Sequence, residues 1–391
     1  MSRQLHTAPD TALILSGGGA RAAYQVGVLL AIARLLPQHA PNPFPIICGT
    51  SAGAINAAGL AMGAGEFRRS VFSLARMWQN LQPEQIYRGS MSCLMATGAH
   101  WLAALLVGGL GRKNPRSFLD NAPLREFLAG IVDFPKIQAN LDCGVLKAVS
   151  ISALGYSSGQ SVAFFQGIAE LESWQRASRI GVRTELNLNH LMASSAIPLV
   201  FPAERIHREY FGDGSVRQIA PLSPAIHLGA RRILVIGVAP QSEEGPARQH
   251  TSGYPTLAQV SGQLMNSIFL DSLETDLERI TRINRTISHI PAPVRGEVGL
   301  NLRPIEVLTI SPSQPLEKLT LPFKREFSLG MRFFLGGLGA FRRQGSVLAS
   351  YLLFCGPYAR KLIALGYHDA LEKEQQLRHF LAAEQATSAV E

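Results

Sequence analysis

The stretch "GTSAGAIN", Gly49 to Asn56, follows the apolar run "FPIIC" (Phe44 to Cys48) and leads into a run of small residues. In G-x-S-x-G the serine sits on a tight turn from strand to helix, with its hydroxyl lifted to the tip of a sheet. Gly49 and Gly53 lack the β-carbons that would collide across such a turn. The N–H of Ala52, at the start of the helix, faces the same space and can help hold an anion. Small residues also suit a turn with no chemical role, so the rest of the chain has to decide.

Working towards the N-terminus, "ALILS" (Ala12 to Ser16) reads as a short buried strand and runs straight into Gly17, Gly18 and Gly19. Glycines feeding a helix N-terminus expose several backbone N–H groups, a geometry that binds anions. A phosphate-binding P-loop would need G-K-[ST] where Ala20 and Arg21 stand, and the dinucleotide pattern would need a glycine at Ala22. An oxyanion hole supplied by Gly18 and Gly19 fits better, with Arg21 fixed nearby by packing or hydrogen bonds. A close helix–strand crossing would use the same glycines.

A serine nucleophile needs a base, and histidine is the usual one. His207 and His227 lie nearest to plausible strand ends. In "FGDGSV", Asp213 stands between Gly212 and Gly214 after a strand, where it can approach another loop closely. An ordinary turn aspartate would look the same, and the residues alone leave all three open.

The remaining chain alternates short apolar strands with amphipathic helices, which indicates an α/β fold with a largely parallel sheet. Helices are expected over Ala20 to Leu36, Ala52 to Met62 and Glu66 to Leu81, the last with Trp78 in the core. "SFLDNAPLREFL" opens a helix capped near Asp120 or Asn121. "VLKAVSISAL" and "SVAFF" are neighbouring strands around "GYSSGQ". A helix over Leu188 to Ala196 ends at Pro198, and "RRILVIGV" (Arg231 to Val238) is a further buried strand. The polar stretch Pro240 to Gly253 reads as a loop. One long helical stripe runs from Thr256 to Ile280, "IEVLTI" is a late strand, and Ser346 to Leu365 is helical around Pro357, with Gly366 as its C-cap. The tail after Ala382 is expected to fray. A catalytic domain is expected over 11–240, followed over 241–391 by a mostly helical extension with one late strand, packed on the same core.

With 391 residues, 47% hydrophobic and 17% charged, the composition is globular and leaves room for one large domain with additions, or two. The net charge of +9 and pI of about 9.6 favour anionic partners. No Lys/Arg run or aromatic–basic interleaving points to nucleic acid, so a lipid or phosphate-bearing partner is expected. Four scattered cysteines, with no C-x-x-C pair, fit a reducing compartment and no metal site. The N-terminus lacks the apolar core of a signal peptide, which gives the expectation of a cytoplasmic protein, peripheral at the inner membrane surface. From Gly89 to Gly111 the chain has no acid, Lys or Arg, yet its hydroxyls, His100 and glycines make it a poor membrane span. It reads either as a buried helix or as an apolar flap touching lipid through Trp101, Leu102, Leu105 and Leu106.

Taken together, G-G-G-x-R, G-x-S-x-G and D-G-small, in this order, resemble the patatin-like phospholipases. "ASSAIPLVFP" (Ala193 to Pro202) is similar to that family's third block, and "LASYLLFCGPYARKLIALGYHDA" to the C-terminal region of its bacterial members. The resemblance runs from Leu13 to about Ala370. Ser215 departs from it, where many members carry Gly or Ala. The resemblance implies a three-layer α/β/α sandwich with a mainly parallel central sheet. It implies a Ser51–Asp213 dyad with no histidine, and Gly17, Gly18, Gly19 and Arg21 as the oxyanion loop. The implied chemistry is hydrolysis of acyl esters, mostly of glycerophospholipids, through an acyl-enzyme, with no cofactor. A carboxylate is a weak base for a serine hydroxyl, and partial desolvation would strengthen it. A hydrolase of soluble esters or thioesters, or an acyl- or anion-binding protein on the same fold, are the competing readings.

Overall fold

The structure is a computed structural model that describes residues 11–240, 254–269, 271–290, 303–342 and 345–387. The N-terminal decapeptide, nearly all of the polar loop after Pro240, and the last four residues of the tail lie outside these.

In chain order, β1 (Thr11–Leu15) is followed by a 3-10 turn (Gly19–Ala22), α1 (Ala23–Leu35), β2 (Ile46–Thr50), α2 (Ala52–Met62) and α3 (Phe67–Gln79). Next come α4 (Met91–Leu106), α5 (Ala122–Ile131), α6 (Phe134–Asp142), β3 (Ala148–Gly155), β4 (Ser161–Gly167), β5 (Trp174–Arg176) and β6 (Arg179–Arg183). Then follow α7 (Leu188–Ser194), β7 (Glu204–Ile206), β8 (Glu209–Asp213), α8 (Ser223–His227) and β9 (Arg232–Ile236). The C-terminal part contains α9 (Leu257–Phe269), α10 (Asp271–Ser288), β10 (Glu306–Ile310), α11 (Leu329–Leu338), α12 (Ser346–Leu352), α13 (Gly356–Glu372) and α14 (Glu374–Thr387).

The sheet runs β10-β9-β1-β2-β3-β4-β6-β5, with β8 also on β3 and β7 on β8. From β10 to β3 every pairing is parallel. The hairpin β3–β4 and the pairs β3–β8, β5–β6 and β7–β8 are antiparallel. Alternate residues of the central strands serve two cores, as the period of two requires. Leu13, Leu15 and Ile47 face α1, α2, α3 and α13; Ala12, Ile14, Ile46 and Cys48 face α8 and α10. This is the three-layer α/β/α sandwich. Its β10 lies beside β9 and its α13 along α1, so the C-terminal third shares the sheet and the larger core.

Several elements differ from the sequence reading. The helix expected from Ala20 starts as a 3-10 turn and becomes α-helical only at Ala23. The stripe from Thr256 is helical over Leu257–Phe269 and Asp271–Ser288, on either side of residue 270, and so runs on past Ile280. The segment around Pro357 is two helices, with Pro357 in the first turn of α13, where its missing N–H removes nothing. Gly366 is not a cap, since α13 continues to Glu372. It marks a close crossing: a β-carbon there would lie 2.1 Å from the Tyr24 carbonyl oxygen, and one on Gly27 2.0 Å from that of Ile363. The short β5, β6 and β7 and the helix α6 had no place in the sequence reading.

Candidate active site

Three neighbouring strand ends build the site. The glycine loop leaves β1, Ser51 leaves β2, and β3 carries the anchor for both the "ASSAIP" block and Asp213.

Ser51 is the N-cap of α2 at φ 55°, ψ −131°, a backbone conformation that non-glycine residues adopt only when the surroundings impose it. A β-carbon on Gly49 would sit 2.6 Å from the Gly53 carbonyl oxygen and 2.6 Å from the Ala54 Cα, a collision across the turn. The reason for Gly53 is different. Its β-carbon would meet the carbonyl oxygens of Leu15 and Ser16 at 2.3 and 2.5 Å, so it lets α2 lie against the end of β1. The Ser51 N–H donates to Ser194 Oγ (2.8 Å), whose own hydroxyl donates to the Ser152 carbonyl on β3 (2.6 Å).

The Ser51 hydroxyl donates to Asp213 Oδ2 at 2.5 Å. Both residues are buried, Asp213 completely. Asp213 Oδ1 accepts from the Ser215 N–H (2.9 Å), and the Asp213 N–H donates to the Ala196 carbonyl (2.9 Å). The flanking glycines admit this approach: a β-carbon on Gly214 would lie 2.3 Å from the Ser152 carbonyl, and one on Gly212 2.4 Å from the Tyr156 hydroxyl. Burial pushes the Asp213 carboxyl up to about 6, against the opposing pull of the Ser51 hydroxyl and the Ser215 amide. A carboxylate so desolvated is a stronger base than a free one.

Among the described residues, no histidine ring is hydrogen-bonded to Ser51 or Asp213. His207 is exposed in the β7–β8 turn, and His227 bonds the Ser223 carbonyl and stacks on Trp174.

The glycine loop stands on the other side of Ser51. Gly17, Gly18 and Gly19 are buried. A β-carbon on Gly18 would press on Val238 at 2.6 Å; Gly19, at φ 54°, would press on the Tyr351 carbonyl at 2.3 Å. Gly18, Gly19 and Ala52 occupy the first positions of their helices, where an N–H has no intrahelical acceptor. Arg21 belongs to the loop through its backbone, its N–H donating to the Gly18 carbonyl (3.1 Å). Its buried guanidinium turns to the C-terminal segment, donating to Ser350 Oγ (2.8 Å), Tyr351 Oη (3.3 Å) and Glu317 Oε2 (3.4 Å) and lying over the Tyr351 ring. A buried relay supports the loop from below: Trp78 donates to Asn56, Asn56 to Gln25, and Gln25 to the Ser16 carbonyl.

A narrow cavity of about 30 Å³ adjoins Ser51. Gly19, Ala52 and Ser195 line it beside the serine, and Trp78, Leu124, Phe127, Leu128, Phe201 and Phe354 give it apolar walls. Trp78 is therefore both core and cavity wall. Ser194 and Ser195 were not singled out in the sequence; their block was visible only through the family resemblance.

The uncharged segment after Gly89 is an exposed helix, which removes the buried-helix reading. Of α4, Ala104 alone is buried, while Leu102, Leu105 and Leu106 are 58%, 74% and 78% exposed. Trp101 is turned inward and stacks on Phe118 with ring centres 5.2 Å apart. The neighbouring α11 exposes Leu329 and Phe333. No helix among the described residues is long and apolar enough to cross a membrane.

A sequence model of the family described as patatin-like phospholipase matches residues 13–226, more than half of the chain. The chain belongs to the patatin-like phospholipase family. The cGAMP-activated phospholipase of Pseudomonas aeruginosa (strain BWHPSA011 / Pa011) is 29% identical over 209 residues, which are 54% of this chain and 53% of that protein. The chain thus spans about half the length of the curated relative it matches. The crystal structure of VipD from Legionella pneumophila aligns over 96% of this chain and 74% of its own, with a TM-score of 0.31 and 13% identity. The matched family span contains the glycine loop, Ser51, the "ASSAIP" block and Asp213.

Proposed function

We propose that this protein is a lipid acyl hydrolase that cleaves carboxylic esters of glycerophospholipids through a Ser51–Asp213 dyad. The observation that carries the reading is the 2.5 Å hydrogen bond between the two buried side chains, beside an apolar cavity. Ser51 Oγ attacks the acyl carbonyl as its proton passes to Asp213. The developing oxyanion lies against the N–H groups of Gly18, Gly19 and Ala52, and each such donor is worth about 3 kcal/mol in transition-state stabilisation. The intermediate collapses, the leaving alcohol takes the proton from Asp213, and the acyl chain stays on Ser51 until water removes it. The apolar walls would have to part to accept that chain, since the cavity itself is only about 30 Å³. Family membership, the phospholipase relative and the unpaired apolar face of α4 all support a lipid ester over a small soluble one.

In this reading Leu102, Leu105 and Leu106 enter the bilayer surface, with Trp101 supporting them through Phe118. Lys113, Arg116, Lys324 and Arg325, all exposed, supply charge for an anionic headgroup layer. The protein would then act as a peripheral enzyme on the cytoplasmic face.

A fluorophosphonate probe tests the nucleophile. Intact-mass analysis is expected to find one adduct in the wild type and none in Ser51→Ala. Incubation of both with total lipid should release fatty acid from phospholipids with the wild type alone. An adduct that persists in Ser51→Ala would end this assignment.

A further inference from the structure

The Ser195 hydroxyl has no role in the dyad described so far, and its surroundings are unusual. Ser195 is 6% exposed, and among the described residues its Oγ has no hydrogen-bond partner. A buried hydroxyl is normally paired, since leaving it unpaired forfeits its hydration for nothing. Here the unpaired hydroxyl belongs to a residue that lines the cavity beside Ser51, Gly19 and Ala52.

Its position is fixed from both sides. Ser194 holds the Ser51 N–H and is tied to β3 through Ser152; Ala196 accepts from the Asp213 N–H. Ser195 lies between these two links, so it keeps a set place relative to both members of the dyad. The strand order adds a direction. The glycine loop leaves β1, Ser51 leaves β2, and the "ASSAIP" block is anchored on β3, so glycine loop and Ser195 flank the nucleophile on opposite sides.

The tetrahedral intermediate at Ser51 carries two oxygens besides Oγ. The former carbonyl oxygen turns to the amides on the β1 side. The leaving oxygen has to turn towards Asp213, which must protonate it, and Asp213 comes from β8 on the β3 side. We infer that the Ser195 hydroxyl is a substrate-contacting group that donates a hydrogen bond to the leaving oxygen of the ester. This inference rests on the serine-hydrolase reading above. The proton balance is unchanged by it. Ser51 gives its proton to Asp213, the bond from carbon to the leaving oxygen breaks, and Asp213 returns the proton to that oxygen. Ser195 keeps its own proton and stabilises the charge that builds before the transfer is complete.

The dependence on the leaving group distinguishes this from a packing role. An alkoxide leaving group needs such help, whereas p-nitrophenolate leaves with little assistance. The test compares a glyceryl ester and a p-nitrophenyl ester of the same acyl chain, using wild type, Ser195→Ala and Ser195→Cys. For both variants kcat/KM on the glyceryl ester is expected to fall about 10- to 100-fold, somewhat less than for a main oxyanion donor. On the p-nitrophenyl ester it should change little. The Tm should stay level, because removing an unpaired buried hydroxyl loses no bond. Unchanged turnover of the glyceryl ester, or equal losses on the two esters, would overturn the inference. Phosphonate labelling runs in parallel. A Ser51 adduct in all three proteins keeps the hydrolase reading intact whatever Ser195 does, and its absence in the wild type would remove that reading itself.

Discussion

Replacing Asp213 by Asn separates the catalytic role proposed for the carboxylate from its effect on the fold. The amide keeps the shape: its oxygen can accept from the Ser215 N–H as Oδ1 does, and its NH2 can face Ser51 Oγ. Burial raises the Asp213 carboxyl from its ordinary 3.8 to about 6, so its ionised form opposes folding. The sign follows from proton binding. Between pH 3.8 and about 6 the folded chain holds a proton that the unfolded chain has released, and stability falls as pH rises through this window. Above it the full cost is present, about 3 kcal/mol at 1.36 kcal/mol per pH unit. For 391 residues the unfolding entropy is about 0.8 kcal/mol/K, which turns that cost into a Tm difference of about 4 °C. Asp213→Asn should therefore melt about 4 °C above the wild type at pH 8, and the two should converge near pH 4. Over the same range wild-type kcat/KM should rise through a limb near pH 6 as Asp213 ionises, and turnover of the variant should be lower by several orders of magnitude. Scanning calorimetry and a pH–rate profile measure both. A variant that melts below the wild type at pH 8, or a Tm gap that does not close on acidification, would refute the account of a desolvated base.

Ser51→Ala should abolish turnover on lipid and short esters while leaving the circular dichroism spectrum unchanged. Gly53→Ala sets a methyl against the Leu15 and Ser16 carbonyls and should destabilise the fold by about 1–3 kcal/mol, with a lower kcat as α2 is displaced; an unchanged Tm would show that the crossing has slack. Leu105→Ser with Leu106→Ser should weaken binding to phosphatidylglycerol vesicles without lowering Tm or hydrolysis of a short soluble ester, because both side chains are exposed. Salt should weaken the same vesicle binding, as the Debye length is about 8 Å at physiological ionic strength, and attachment that ignores salt would remove the electrostatic part.

The parts of the fold legible in the sequence are those with strong local grammar. β1 and β2 are apolar runs stopped by glycine, and α2 follows as the run of small residues predicts. The short strands β5 and β7, "WQR" and "ERI", carry no apolar alternation, because both are short and largely uncovered. Gly366 misled because a glycine near a helix end and a glycine at a helix crossing look alike in one dimension. In the site, G-x-S-x-G marks Ser51 locally, but its bond to Asp213 spans 162 residues and no pattern in the sequence encodes it. The family resemblance supplied that pairing. Ser195 had no signal of its own: a serine among small residues becomes notable only when its hydroxyl is seen buried without a partner.

The grip of Ser350 and Tyr351 on Arg21, with the Tyr351 carbonyl pressed on Gly19, also bears on the order of events during synthesis. The glycine loop is synthesised more than 300 residues before the groups that brace it. Contacts so distant in sequence form late, after their closing segment has emerged. A nascent chain can thus display the loop, Ser51 and Asp213 before Ser350 and Tyr351 exist, without the loop in its braced shape. On the proposed hydrolase reading, a chain built this way stays silent until Ser350 and Tyr351 have been made and have closed on the loop. Ribosome-bound chains stalled before residue 345 are expected to resist a fluorophosphonate that labels the finished protein, and equal labelling of the two would show that the loop sets itself.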